Sequence, residues 1–478
     1  MAVKHVIAID LGAGSGRVMD VQFDGTRLQL NELYRFANYS ADVMGTSYWD
    51  VLSIWKHIQT GLSKRPRDTA SIGVDTWGVD IAMLDKNGQL LANPVHYRDA
   101  DRADAMEWVL ERISRREVYF RTGIQFIPFN TLYLLGSWVR SGSPLLDAAD
   151  TMLAMPDLLH YWLTGEKYSE FTNATTTQMF NPTLNDWDRE MLQSIGIPTH
   201  FLPPTIRAGD RIGKYESIPV IAPPTHDTAS AVVAVPTVTS DYAYLSSGTW
   251  SLLGIEVKEA IINEAAFEAN VTNEGGYNNT YRLLKNIMGL WILEQSLVTW
   301  REMGRDYSYE QCQQMARSAA EPFRSLFDPD DLLFYPPGNM PERIQRFCKD
   351  TKQPVPETDA EIMTAIHVSM ALKYRHALEQ LESISGQAIR QLHIIGGGSQ
   401  NHVLNQMTAN AIGRPVYAGP SEATTLGNAV VQLITLGELA SLEEARTMLY
   451  ETTGVVPFEP KDMAVWNEAY QRFQDIIQ

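Results

Sequence analysis

Short apolar runs closed by turn residues alternate along this chain with stretches of helical apolar period, and that pattern predicts its elements. Val6 to Ile9 is a β-branched apolar run ending at Asp10, which predicts a fully buried strand. Leu11-Gly-Ala-Gly-Ser-Gly16 turns the chain, and Arg17-Val-Met-Asp-Val-Gln-Phe23 resumes an extended run. Asp24-Gly25 is a hairpin signal, because glycine takes a positive φ without strain. Leu28, Leu30 and Leu33 then predict a third strand, and Leu52, Trp55, Ile58 and Leu62 predict one face of a helix over 49–64. Ser71 to Gly78 reads as a further strand, with another hairpin turning at Asn87-Gly88. Strands that lead into crossover helices indicate an α/β layer architecture.

Near 235–241 the sequence turns polar, a plausible boundary. Ala243 to Gly254 then repeats the opening form: apolar run, Ser-Ser-Gly-Thr turn, apolar run. Two readings stand at this point, a structural repeat or two coincidental hairpins. A long helix is expected over 359–384, then a strand at Gln391–Ile395, a Gly396-Gly-Gly398 turn and two helices. The chain therefore divides into two α/β halves, 1–236 and 237–478.

Composition narrows the classes. At 478 residues the chain exceeds one ordinary core, and 39 basic against 57 acidic residues leave a net charge of −18. That argues against a dedicated nucleic-acid binder, whose footprint would be a basic face, and against docking on an anionic membrane. Two cysteines, in no Cys-x-x-Cys pattern, organise neither a disulfide framework nor a zinc site. No apolar run reaches the ~18 residues of a membrane span, and Asp10 interrupts any signal-peptide core. The expectation is a cytoplasmic protein without a nucleic-acid, membrane or obligatory protein partner.

Three segments carry candidate chemistry. The turn Ala13, Gly14, Ser15, Gly16 lets backbone N–H groups converge on an anion, and Arg17 adds a guanidinium fork suited to phosphate. Asp10, ending the strand before it, suits Mg²⁺ held through water. The same residues also suit a tight hairpin whose aspartate bonds its own turn. Neither G-x-G-x-x-G nor a P-loop occurs. His226-Asp227-Thr228 stands at a helix entry, where Asp227 is either a general base or a cap. Gly396 to Gly398 opens onto a helix, and Thr249 in the second hairpin mirrors Ser15. No G-x-S-x-G elbow or His-Glu-x-x-His pair supports hydrolase or zinc chemistry.

Together, collinear blocks resemble one family. They are Asp10 to Met19, Asp75 to Asp80, Gly123 to Tyr133, Thr172 to Gln178, His226 to Ala231, Leu245 to Trp250, Lys285 to Trp291, His393 to Gly398 and Thr425 to Asn428. The chain resembles the FGGY carbohydrate kinases, the sugar-kinase branch of the actin- and Hsp70-like ATPases. The resemblance implies two ribonuclease-H-like α/β domains around an interdomain cleft. It also implies ATP-dependent phosphorylation of L-rhamnulose at O1, with ATP and Mg²⁺ as cofactors and a ketose as substrate. Alternatives are another ketose or a polyol (fuculose, xylulose, glycerol), or an actin- or Hsp70-like ATPase switch.

By the same resemblance, Asp227 is the catalytic base. Gly78, His226, Thr228 and Asn286, with Asp227, contact the sugar. Ala13 through Arg17, Thr249, Glu294 and Gly397 contact ATP, and Asp10 is the magnesium-associated acid. Two positions depart from the family pattern. Glu294 stands where a glutamine is expected, and a carboxylate there would repel ATP unless protonated or metal-bridged. Asp101 stands where an arginine is expected, with Arg102 following it. For Trp77, contact with the sugar and a place in the core are both open.

Overall fold

The computed structural model describes residues 3–477. The chain packs as two compact units. One comprises Met1–Ala234, Glu256–Leu283 and Ala423–Thr452; the other comprises Val235–Ile255, Leu284–Glu422 and Thr453–Gln478.

In the first unit a six-stranded sheet runs in the order Arg211–Tyr215, Ile218–Ile221, Thr69–Thr76, Lys4–Leu11, Ser15–Phe23, Leu28–Ala37. The opening hairpin is antiparallel, and Lys4–Leu11 pairs in parallel with Thr69–Thr76, so that Asp10 stands in register with Asp75. Strand alternation sorts the central residues onto two faces. Ile7, Ile9, Leu11, Ile72 and Val74 join one apolar core with Val51, Ile54, Ile58 and Leu62 of the helix Val51–Leu62. The other face carries Asp10, Ser71, Gly73 and Asp75, and the helix Ala423–Leu436 bonds to it.

One expectation needs correction here, and the spacing in the third strand, Leu28–Ala37, finds its explanation. The buried face of Val51–Leu62 runs through Val51, Ile54, Ile58 and Leu62, while Leu52 is 60% exposed, since the sheet meets the helix about one residue round from the periodicity guess. The spacing of Leu28, Leu30 and Leu33 breaks strict alternation because of a bulge: Val18 pairs with Tyr34 and Met19 with Glu32, leaving Leu33 as the extra residue.

A seven-stranded sheet runs in the order Thr272–Gly275, Tyr281–Met288, Trp250–Val257, Tyr242–Ser247, Gln391–Ile395, Val416–Ala418, Val456–Phe458, and its last six strands repeat the order of the first sheet with different residues. Its hairpin is antiparallel, and Tyr242–Ser247 pairs in parallel with Gln391–Ile395 as Lys4–Leu11 does with Thr69–Thr76. The two similar hairpins are thus a topological repeat. The helix Asp359–Ser385 starts at a capping box of Thr358 and Glu361, each bonding the other's backbone. Among the described residues no helix is long and apolar enough to cross a membrane.

Candidate active site

Asp227 opens the short helix Asp227–Val233, and its segment is held by backbone and buried carboxylate contacts. The N–H of Thr76 donates to Thr225 O at 2.9 Å, tying the segment to the end of its strand. One oxygen of the fully buried Glu170, Oε2, accepts from the N–H groups of Thr172 and Thr225 (3.0 and 2.9 Å) and from both threonine hydroxyls (2.5 and 3.0 Å). The hydroxyl of Thr172 in turn accepts from the N–H of His226 at 3.2 Å. The helix itself lies close against Ala423–Leu436: a Cβ at Gly427 would fall 1.7 Å from Ser230 O.

The carboxylate of Asp227 is asymmetric. Oδ1 accepts from the N–H and hydroxyl of Thr228 at 2.6 and 3.3 Å and stands 3.4 Å from Nε2 of His226. The described hydrogen bonds at Asp227 all fall on Oδ1 and none on Oδ2. The side chain is 30% exposed, so it is reachable. Burial, followed by repulsion from Asp10, raises its pKa above the ordinary carboxylate range, and His226 opposes that rise. A carboxylate made more basic in this way is suited to accept a proton.

Asp10 and Asp75 lie beside one another on adjacent strands. Asp10 Oδ2 accepts from Arg17 Nη2 at 2.8 Å, Arg17 Nε at 3.1 Å and the hydroxyl of Thr425 at 2.8 Å. Asp75 Oδ2 accepts from Asn428 Nδ2 at 2.5 Å, while its Oδ1 is buried without a hydrogen-bond partner. Burial and the charges of Asp10 and Asp227 push the pKa of Asp75 well up. A small hydrated dication fits this pair, because it would offset the repulsion between the two acids and use the orphaned oxygen through water. Among the described residues no group of three or more His, Cys, Asp or Glu is arranged to enclose a metal directly. One or two carboxylates plus phosphate oxygens is the donor set Mg²⁺ uses with nucleotides.

The glycine turn next to Asp10 is closed by Gly12 N donating to Ser15 O at 2.9 Å and tied to Asn38, whose Nδ2 donates to Gly12 O at 2.6 Å. Its glycines differ in purpose. A Cβ on Gly16 would meet Phe36 and Leu11 within 2.7 Å, so packing requires glycine there. A Cβ on Gly14 would meet nothing within 4 Å, which leaves backbone open to an anion. Ala13, Ser15 and Arg17 complete the turn, with Arg17 spent on Asp10 in this structure.

Gly78 is half-buried against Thr176, whose Oγ1 a Cβ would approach to 3.1 Å. Trp77 belongs to the core: it is 6% exposed, its Nε1–H donates to Asp80 Oδ2 at 2.9 Å and its ring lies 4.3 Å from that of Trp49. Arg102 answers the question raised by its neighbour. It is buried, its Nη2 donates to Asp80 Oδ1 at 2.7 Å and to Val95 O at 2.9 Å, and its Nη1 donates to Phe129 O at 2.7 Å. Asp101 lies in the first turn of the helix Asp101–Leu110, makes no side-chain cap and pairs with Arg140.

In the second unit, Thr249 follows Gly248 in the hairpin turn, and its hydroxyl lies 3.3 and 3.2 Å from the two carboxylate oxygens of Glu294. Glu294 stands in the first turn of the helix Trp291–Glu302. Asn286 is half-buried on the strand Tyr281–Met288, next to Lys285, whose pKa burial lowers to about 8. The three glycines after Gln391–Ile395 again differ. Gly396 has φ +81°, and a Cβ on Gly398 would fall 2.0 Å from Ser247 Oγ. A Cβ on Gly397 would meet nothing within 4 Å, so that backbone is open to a ligand. Asn401 caps the helix that follows, accepting from the N–H of Leu404 at 3.1 Å.

The first unit thus holds Asp10, Ala13 to Arg17, Gly78, His226, Asp227 and Thr228, and the second holds Thr249, Asn286, Glu294 and Gly397. Sequence reasoning passed over Asp75 and Glu170, over Arg282, whose Nη2 lies 3.1 Å from both His226 Nδ1 and Glu274 Oε2, and over Gln432, whose side chain bonds Ser71 and Ile7 O behind Asp75. The available signal for Gln432 is the polar stripe Thr425, Asn428, Gln432 on an otherwise apolar helix; Asp75 and Arg282 have none beyond being charged among apolar neighbours.

Comparison with known proteins covers the whole chain. Residues 5–223 match the N-terminal domain, and residues 243–436 the C-terminal domain, of the FGGY family of carbohydrate kinases. A protein of Bacteroides thetaiotaomicron named rhamnulokinase is 43% identical over 487 residues, 99% of each chain. One of Klebsiella pneumoniae, of the same name, is 43% identical over 472 residues, 96% of this chain and 95% of its own. Among solved structures, the ligand-bound xylulose kinase of Lactobacillus acidophilus superposes with a TM-score of 0.81 at 16% identity, covering 99% of this chain and 97% of that one.

Proposed function

The chain belongs to the FGGY family of carbohydrate kinases, and from that membership we propose that it transfers the γ-phosphoryl group of ATP to the O1 hydroxyl of L-rhamnulose. The product is L-rhamnulose 1-phosphate, formed in the cytoplasm during L-rhamnose breakdown. The observation that carries this reading is the near-full-length identity to proteins named rhamnulokinase, 43% over 99% of both chains in one case.

In this reading Asp227 is the base. Donors gathered on Oδ1 leave Oδ2 to orient the O1 hydroxyl and accept its proton as the phosphoryl group transfers. Gly78, His226 and Thr228 contact the ketose beside it, as does Asn286. The backbone of Ala13 to Gly16 and the Arg17 guanidinium cradle the phosphates. Thr249, Glu294 and Gly397 contact the nucleotide. Asp10, with Asp75 next to it, would hold Mg²⁺ through water, and that ion would supply charge neutralisation at the transferring phosphate. In domain terms, 1–236 carries the base, the sugar contacts other than Asn286 and the phosphate turn, and 237–478 carries Asn286 and the remaining nucleotide contacts.

The test is a substrate panel with ATP and magnesium under coupled ADP detection: L-rhamnulose, L-fuculose, D-xylulose and glycerol. L-Rhamnulose is expected to have the highest kcat/KM. A higher value for another acceptor transfers the assignment to it, and ATP turnover indifferent to every acceptor overturns the kinase reading.

A further inference from the structure

We propose that Arg282, braced by Glu274, is a positioning residue for this reaction: by donating to Nδ1 of His226 it fixes the ring tautomer whose Nε2–H faces Asp227. The inference rests on the reading of Asp227 as the base.

Arg282 is fully buried on the strand Tyr281–Met288. Its Nε–H donates to Gly275 O at 2.9 Å. Its Nη2 lies 3.1 Å from Glu274 Oε2 and 3.1 Å from Nδ1 of His226. A guanidinium carries only donors, so at the second contact the ring nitrogen accepts. Nδ1 then bears the lone pair and the ring proton sits on Nε2. Glu274 Oε2 is also 3.4 Å from Nδ1 and would suit a proton there. The shorter contact decides, because an Nδ1 proton would be aimed at the hydrogens of Nη2. Those two hydrogens are instead divided between Glu274 and His226, which is why the carboxylate is needed: it holds the guanidinium at the angle that serves the ring.

The consequence reaches the reacting atoms. Nε2 stands 3.4 Å from Asp227 Oδ1, and with the proton on Nε2 that contact is attractive. His226 then joins Thr228 in holding Oδ1, and Oδ2 takes none of these contacts. In the other tautomer a nitrogen lone pair would oppose the carboxylate oxygen, and the carboxylate would rotate away. Arg282 bonds Gly275, Glu274 and His226 and not Asp227; it acts through the ring. The strand position of Arg282 and the register of Glu274 are therefore tied to the orientation of a side chain on another element.

The full-length protein labelled with ¹⁵N-histidine gives the test by long-range ¹H–¹⁵N correlation, with the His226 signals identified by their loss in His226→Gln. The expected wild-type pattern is a protonated Nε2 and a bare Nδ1. Arg282→Met is expected to shift His226 toward the Nδ1–H form and to lower kcat about 10²-fold, as a displaced reacting group does. KM for ATP should stay within about twofold, since uniform binding is untouched. Arg282→Lys keeps a donor toward Nδ1 and should retain the wild-type tautomer and more of kcat than Arg282→Met. A wild-type Nδ1–H pattern overturns the proposal. So does Arg282→Met with an unchanged tautomer, whatever its kcat, because the loss would then be structural. If Arg282→Met does not fold, the wild-type spectrum and Arg282→Lys decide. Failure of every ketose to stimulate ADP release strikes the functional reading alone, since the spectrum reports the ring without turnover.

Discussion

Asn428 and Asp75 stand 353 residues apart in the chain, yet Asn428 Nδ2 donates to Asp75 Oδ2 at 2.5 Å in a fully buried contact. The direction of that bond is set from a backbone anchor. Gln432 Nε2 donates to Ile7 O at 3.0 Å, which fixes the Gln432 amide with its nitrogen toward Asn428 Oδ1, 2.6 Å away. Ser71 Oγ, 2.7 Å from Gln432 Oε1, completes the assignment from the other side. The amide of Asn428 must then present its N–H to the acid. A polar stripe on one helix thus orients the carboxylate that lies in register with Asp10.

Removing that donor leaves a buried carboxylate oxygen unpaired. Asn428→Ala is expected to cost about 1–3 kcal/mol of stability, read from urea denaturation midpoints at constant slope. Gly73→Ala tests the same layer from the sheet side. Its Cβ would lie 2.8 Å from Asn428 Oδ1 and from Gln432 Nε2, and overpacking of this kind costs about 1–3 kcal/mol. A wild-type midpoint for both would show that the layer is not held as described.

Asp227→Asn and Asp227→Ala should each lose roughly 10²–10⁴ in kcat, the contribution of a positioned base. Melting temperature and ATP binding by calorimetry should remain near wild type, because the side chain is part-exposed and forms no core. Near-normal turnover in either variant removes Asp227 from its role.

The pH dependence follows from the sign of the Asp227 shift. A base must be deprotonated to act, and burial together with Asp10 raises its pKa. Activity is therefore present above the raised value and falls as pH drops through it. The acid limb of kcat/KM for the ketose should lie above the ordinary aspartate value of about 4. A limb at or below that value contradicts the burial and the Asp10 repulsion that raise it.

Glu294 places a carboxylate beside Thr249, where a nucleotide contact is proposed. Glu294→Gln keeps the shape and an acceptor for the threonine hydroxyl while removing a charge that repels phosphate. KM for ATP should fall several-fold with kcat nearly unchanged. A rise in KM would mean that the charge itself serves the nucleotide, through a cation.

Glu170 offers a graded pair of variants. Four donors meet at Oε2 and its mate Oε1 is buried without a hydrogen-bond partner. Glu170→Gln can keep its carbonyl oxygen on the four donors and should retain folding and most of kcat. Glu170→Ala leaves them unpaired and should lower both, with kcat measured at saturating ketose and ATP. Equal behaviour of the two variants would show that the acceptor does not position the Thr225–Asp227 segment.

The sequence by itself determined what depends on neighbours a few residues away. The hairpin at Asp24-Gly25 is closed by Asp24 Oδ1 accepting from the N–H groups of Thr26 and Arg27, and Gly25 takes φ +98°. The Asp359–Ser385 helix begins at its own capping box. The open glycines, Gly14 and Gly397, sit in turns that were readable as turns. Only the tertiary structure decided which face of Val51–Leu62 is buried, that Arg102 pairs with Asp80, and that Ala423–Leu436 packs with the first unit, over Asp10 and Asp75. It also decided that His226 answers to Arg282. The reason is the range of the forces involved. Caps and turns satisfy backbone groups locally and so mark the sequence where they act, whereas a buried ion pair or amide bond between distant segments imposes no period or spacing. It requires only that two polar residues survive in apolar surroundings, and which two meet is settled when the layers close.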